Sequence, residues 1–432
     1  MKRALTMGLS AAVLLAFLVS MGLDFVNTTR SGATDLRGRI VGVRLLEHGL
    51  DPYTYKWHEG APPEYCIASD NPNSPVSGVT VTPALLMLHA PLALLPYGYA
   101  RFLFLALQWL LLAGTCCLWL RASATSWQRW FIVLFATGFT YTVAWRLHSE
   151  RGQAYLLLTF VFACWLTATL NPKWNNNFVA GCLAGFLAAL RPTYLIIAPF
   201  LLMHRRNQLA GWAVGLLLGV ALPLLMSPVG WSDFFGGMQI HFALYRAGIH
   251  FPHTASNFPA AIEGMPATLL AGYLPIPVHD FSGYGLLRQL GFMAVPGLLM
   301  NLAIAVPLVL WLWWTRRESA GRLLPAMAAW LLLVDLFQPA PRYSYYDVII
   351  LNVVFAGLVT TEKIPRAILP FVLGILLGWV VYYLQPGRPA WIDLPEDFFT
   401  IGAIMFLFPS PTPSKNITDP PVGHTAESEL RL

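Results

Sequence analysis

The chain has 432 residues, of which 56% are hydrophobic and only 11% charged, and its mean hydropathy is +0.58. Soluble domains carry about 25% charged residues, so the composition excludes an ordinary globular core and points to an all-α polytopic membrane protein. The net charge of +6 is small for this length and much of it sits at loop ends, which gives no sign of a nucleic-acid partner.

The first apolar run, residues 4–26, follows Lys2 and Arg3. It is longer than a signal-peptide core and has no small-x-small cleavage site, so it reads as a retained helix. A polar segment, residues 27–82, comes next. It carries Asp35, then Arg37, Arg39 and Arg44, then a Gly-x-Asp-Pro-Tyr turn at 49–53. Apolar residues alternate with charges over 37–48, which suits a short helix on the interface with its arginines toward lipid headgroups. Residues 83–95 are apolar but too short to span, and read as a second interfacial helix or a re-entrant piece.

Further spans are expected at 101–120, 129–145, 153–170, 178–190, 193–203, 209–226, 292–314, 323–337, 345–361, 364–384 and 398–408. The total is about 10–12 transmembrane helices in one integral domain, residues 1–408. Residues 227–291 form a second long loop, and the Pro/Ser/Thr-rich residues 409–432 a disordered cytoplasmic tail. The short runs 178–190 and 193–203 flank Arg191-Pro192. Proline disfavours helix in the residue before it, so the pair reads as a hairpin with Arg191 at its tip.

Orientation follows from the basic turns. With Lys2 and Arg3 in the cytoplasm, Arg121/Arg129, Lys173, Arg205/Arg206, Arg316/Arg317/Arg322 and Lys363/Arg366 all fall on that side, provided the Arg191 hairpin counts as two passes. Segments 27–96, 227–291 and 385–397 then lie on the extracytoplasmic face. Of the five cysteines, four lie in apolar runs and Cys66 in a polar loop; no disulfide framework and no metal-ligand spacing results.

The extracytoplasmic face collects the polar residues near span ends: Asp35; His148, Glu150, Arg151 and Gln153; Arg191; and Arg342, Tyr343, Tyr345, Tyr346 and Asp347. His250 and His253 lie in the second loop. Ionisable groups near spans are costly unless paired or functional. One carboxylate among cations and aromatics suits glycosyl transfer from a lipid-phosphate sugar. A phosphate leaving group needs no general acid, one carboxylate can take the proton of the attacking hydroxyl, and cations stabilise the charge that develops on the phosphate. Asp24, near the end of the first span, is a competing carboxylate or a buried structural one. Asp51, before Pro52, reads as a turn former.

Four stretches carry a resemblance: TDLRGRIVGVRLLEHGLDPY, TVTPALLMLHAPLALLP, RGQAYLLLTFVFACWL and AGCLAGFLAALRPTYLIIAPFLLMHRRN. In order and spacing they resemble the polyprenyl-phosphate-dependent GT-C glycosyltransferases, most closely the family 87 group that includes actinobacterial mannosyltransferases. Thr82-Pro83 replaces the usual Tyr-Pro-Pro, and Arg191 stands where lysine is common. The resemblance implies a GT-C-like bundle with interfacial helices and long extracytoplasmic loops, in the cytoplasmic membrane. It implies a metal-independent, inverting enzyme with no cofactor. Its partners are a polyprenyl-phosphate hexose, mannose by analogy, and a glycolipid or glycan acceptor, with membrane lipids around it. By position Asp35 matches the catalytic aspartate. Arg191, Arg342, His253, Gln153, Tyr345 and Asp347 are the expected substrate and phosphate contacts. Two other readings stay open: a lipid-linked glycan flippase or other transporter, and an O-antigen-type polymerase.

Overall fold

The computed structural model describes residues 2–67, 70, 71, 73–170, 177–249, 297–337, 342–360, 366–384 and 394–407, with a few residues between 265 and 291. Among the described residues it is all-helical, without strands. The first helix, α1 (Lys2–Ser31), is 30 residues long, or about 45 Å at the helical rise, enough to cross the roughly 30 Å hydrocarbon layer. A sharp corner leads into α2 (Thr34–Glu47). Then follow α3 (Pro83–Ala93), α4 (Tyr97–Ala122), α5 (Ser126–Phe139), α6 (Val143–Arg151), α7 (Tyr155–Leu170) and α8 (Asn177–Leu190). After α8 come α9 (Ile197–His204), α10 (Leu209–Ala221), α11 (Gly230–Arg246), α12 (Gly297–Trp314), α13 (Ala320–Phe337), α14 (Ile350–Thr360), α15 (Ile368–Leu384) and α16 (Leu394–Leu407).

Three helical stretches are long and apolar enough to cross a membrane alone: Thr6–Ser31, Tyr97–Ala122 and Arg206–Leu225. The pair α5 and α6 makes a fourth if taken as one span broken by a 65° bend. Shorter apolar helices run between the same two ends of the bundle. At one end Ser31 Oγ, at the close of α1, donates to the Glu150 carbonyl near the close of α6 (2.6 Å). Asn27 Nδ2 reaches Tyr382 Oη on α15 (2.9 Å), and Arg191, after α8, reaches Tyr155 on α7 and Asp335 on α13. At the other end Gln128 Nε2 on α5 donates to the Leu358 carbonyl on α14 (2.7 Å). The chain therefore alternates, as a polytopic membrane protein must.

Local chemistry explains the boundaries. Thr82 caps α3 by accepting from the Leu85 amide, with Pro83 at the first helical position. Thr125 and Gln128 form a reciprocal capping box on α5. Thr142 caps α6, which Gly152 closes at φ 66°. The expected single span at 129–145 is thus two helices, each with its own N-cap.

The Arg191 hairpin is a double pass. Gly181 and Gly185 of α8 face Gly211, Gly215 and Gly219 of α10 in parallel order. A Cβ on Gly185 would fall 1.9 Å from the Trp212 carbonyl oxygen, and one on Gly215 would fall 2.0 Å from that of Cys182. Small residues four apart let membrane helices meet at backbone distance. Two neighbouring helices can run parallel only if the chain between them, residues 192–208, returns across the bundle.

Two expectations change. The arginines of α2 do not face lipid headgroups, because α2 is buried along most of its length. Arg37 donates to the carbonyls of Cys66 (3.2 Å), Pro63 (3.2 Å) and Glu64 (3.3 Å), and Arg44 to those of Ala93 (3.2 Å) and Leu95 (3.0 Å). Loop carbonyls that have no helical partner need donors, and these guanidiniums supply them. Burial pushes the neighbouring Cys66 thiol up to about 12. The second long loop also holds a 17-residue helix, α11. Asp51 accepts from the Tyr53 amide (2.8 Å) and from Thr54, fixing the turn.

Asp24 is fully enclosed. Its Oδ1 accepts from Arg146 Nη1 (2.5 Å) and Ser149 Oγ (2.8 Å), its Oδ2 from Trp145 Nε1 (2.8 Å) and Trp109 Nε1 (3.1 Å). It is a structural carboxylate joining α1, α4 and α6. Removing one partner of a buried pair costs about 3–5 kcal/mol. Asp24→Ala should therefore lose folded protein, measured as the monodisperse fraction in detergent on heating. Gly185→Ala should cost about 3 kcal/mol in the same measurement by overpacking. Gly22→Ala, with nothing within 4 Å of its new methyl, should be neutral or slightly stabilising.

Candidate functional site

The site is built at the corner between α1 and α2. Gly32 (φ 71°) and Ala33 (φ 51°) are both left-handed, a conformation that L-residues other than Asn and Asp rarely adopt. The Tyr97 hydroxyl, at the start of α4, holds the corner at 2.6 Å from both the Gly32 and the Ala33 carbonyls. Asp35 follows in the first turn of α2, where the exposed amides of the helix N-terminus favour a carboxylate. Its side chain keeps 24% exposure, in contrast to the buried Asp24.

The turn after α6 meets Asp35 from the other side. A Cβ on Gly152 would fall 2.7 Å from the Leu36 Cβ, so only glycine allows the turn to approach α2 this closely. Gln153 Nε2 donates to Asp35 Oδ2. Its Oε1 accepts from Arg39 Nη2 (2.5 Å), and Arg39 Nη1 donates to the Gly152 carbonyl (2.6 Å). Arg151 Nη1 lies 3.9 Å from Asp35 Oδ1, and Thr34 Oγ1 lies 3.5 Å from it. Burial pushes Arg39 below the usual guanidinium range, and the Asp35 charge pulls it back up.

A second cation sits beside this group. Arg191 donates to Tyr155 Oη (2.5 Å), Asp335 Oδ1 (2.9 Å) and Thr193 Oγ1 (3.2 Å). Its guanidinium lies 4.6 Å from the Tyr155 ring centroid and 4.7 Å from that of Tyr346, close enough for cation–π attraction. Tyr345 continues the aromatic group. Its ring is 5.7 Å from Tyr155, 5.3 Å from Tyr343 and 5.0 Å from Tyr346, and it lies within electrostatic range of Asp35. Arg342 and Asp347 form a buried ion pair behind the tyrosines.

The structure thus brings Asp35, Gln153, Arg191, Tyr345, Arg342 and Asp347 to one end of the bundle. Asp35 and Arg191 keep exposed surface, whereas Arg342 and Asp347 are enclosed. His253 lies outside the described residues. His148 is buried, and its Nε2 accepts from the Leu156 amide (3.1 Å) at the start of α7.

Two polar neighbours escaped the sequence reading. Asp335 is a lone acid inside an apolar run, itself a signal of an intramembrane partner. Glu396, at the start of α16, is buried. Arg39, expected at the headgroups with Arg37 and Arg44, holds Gln153 instead. Among the described residues no cluster of three or more His, Cys, Asp or Glu could hold a metal ion. A carboxylate with one free flank, bordered by guanidiniums and phenols, can accept a proton from a hydroxyl and hold an anion beside it.

A family model described as glycosyltransferase family 87 matches residues 80–339, well over half of the chain. The match includes Gln153, Arg191 and Asp335; Asp35 precedes it, and the Arg342–Asp347 group follows it. No curated protein and no solved structure matches the chain. A glycosyltransferase needs a sugar donor and an acceptor. The chain belongs to glycosyltransferase family 87.

Proposed function

We propose that the protein is an inverting hexosyltransferase. It takes a hexose, mannose by family analogy, from polyprenyl phosphate and transfers it to a hydroxyl of a glycolipid or glycan. The observation that carries this reading is Asp35 itself. It is a partly exposed carboxylate at the end of a membrane helix, next to Arg151 and in one polar group with Arg191.

In this reaction the acceptor oxygen attacks the anomeric carbon as Asp35 takes its proton. The bond from the anomeric carbon to the phosphate oxygen breaks, and polyprenyl phosphate leaves as an anion. Arg191, oriented by Asp335 and set against two tyrosines, and Arg151 are the cations available for that charge. Arg342 and Asp347 act from behind by fixing the Tyr343–Tyr346 turn. His253 is a further phosphate contact in this reading, and no metal or cofactor takes part.

Charge supports a reaction on the extracytoplasmic side of the cytoplasmic membrane. Arg121, Arg129, Arg205, Arg206, Arg316, Arg317, Arg322 and Arg366 lie in or beside the connections at the bundle end opposite Asp35, and short basic loops stay in the cytoplasm.

Membranes supplied with polyprenyl-phospho-mannose, radiolabelled in the sugar, test this. Asp35→Asn should lower transfer by about 10²-fold or more at equal protein level; full transfer by this variant would remove the proposed base. Arg191→Gln should lower kcat/KM by about 10²-fold, and an unchanged value would take Arg191 out of the phosphate site.

A further inference from the structure

The orientation of the Gln153 amide is fixed by chemistry. Arginine only donates hydrogen bonds, so the Gln153 atom facing Arg39 Nη2 at 2.5 Å must be its oxygen. The atom facing Asp35 Oδ2 is then the amide nitrogen, a donor. Arg39 cannot turn away, because it is 5% exposed and also bound to the Gly152 carbonyl at 2.6 Å. Gly152 in turn is locked against Leu36 of the helix that carries Asp35. The loop is closed: α2 supplies both the carboxylate and the arginine, and the 152–153 turn bridges them.

The two carboxylate oxygens therefore differ. Oδ2 is occupied by Gln153 Nε2. Among the described residues, Oδ1 has only the Thr34 hydroxyl at 3.5 Å and Arg151 at 3.9 Å, the second too long for a hydrogen bond. From these contacts we infer that Gln153, held by Arg39, is a positioning residue that reserves Asp35 Oδ1 for the proton of the acceptor hydroxyl. This rests on the reading of Asp35 as the base, and it moves Gln153 from substrate contact to support of that base. The proton passes from the hydroxyl oxygen to Oδ1 as the new glycosidic bond forms.

The test compares Gln153→Leu and Gln153→Glu with the parent, using radiolabelled polyprenyl-phospho-mannose in membranes at matched protein level. In Gln153→Leu, kcat should fall about ten-fold or more while donor KM stays within about two-fold. Gln153→Glu, which sets two carboxylates face to face, should lower kcat further at the same donor KM. A raised KM with retained kcat in either variant overturns the inference. Asp35→Asn separates the two levels. If it keeps full transfer, the base assignment fails and this inference with it; if it is inactive while Gln153→Leu matches the parent, only the positioning role fails. A readout without sugar donor covers an unreactive mannose substrate. Carbodiimide labelling of Asp35 in the purified full-length protein at one pH, followed by peptide mass spectrometry, should be faster in Gln153→Leu, where Oδ2 is no longer covered, and an equal rate overturns the proposal.

Discussion

The arrangement depends on one buried ion pair, Asp24 with Arg146. The two residues lie on α1 and on the far side of the 65° break between α5 and α6. A charge inside a membrane is tolerable only when its partners are complete, and four donors complete Asp24. Arg146 also reaches the Ser20 carbonyl and hydroxyl, each at 2.9 Å. The break in α5–α6 thus has a position where the polar groups are satisfied, and that position swings the end of α6 toward α2. Everything at the corner between α1 and α2 is downstream of that angle: Gly152 can touch Leu36, and Gln153 can reach Asp35, only because α6 arrives from the side.

Two carboxylates on neighbouring stretches of chain consequently have opposite fates. Asp24 is enclosed by two indoles, a hydroxyl and a guanidinium, and has no surface left for a substrate. Asp35, eleven residues later, is supported on one oxygen and open on the other. A similar division separates the cations. Arg37 and Arg44 serve carbonyls of the loops they brace, Arg39 orients an amide, and Arg151 and Arg191 keep exposed surface beside the carboxylate and the tyrosines.

Much of this was legible in the chain. Apolar runs gave the helices, and the rule that basic loops remain inside required the Arg191-Pro192 hairpin to pass twice, which the parallel course of α8 and α10 bears out. The proximity of Asp35 to residues after the third span followed from shared loop position. The burial of α2 was not legible, because arginines among apolar residues look the same whether they face headgroups or loop carbonyls. Sequence periodicity reports which residues share a face, never what covers it. The bend at 140–142 was hidden for a related reason: Thr140, Tyr141 and Thr142 are compatible with a continuing helix, and the Thr142 cap on α6 is set in place by the partners of Arg146. Helix α11 was missed because its polar residues resemble the loop around it.

The glycine seam between α8 and α10 acts as a coarse ruler. Its small residues recur every four positions, so the two helices mesh at backbone distance only in registers four residues apart, about 6 Å along the axis. Slippage by a single residue would drive side chains into a carbonyl ridge. The depth of Arg191, one residue beyond the end of α8, is therefore quantised: it is correct, or wrong by a full notch. A stop that admits no small errors fixes the depth of this cation, and with it the contacts to Asp335 and Tyr155, better than a softer, side-chain-filled interface would.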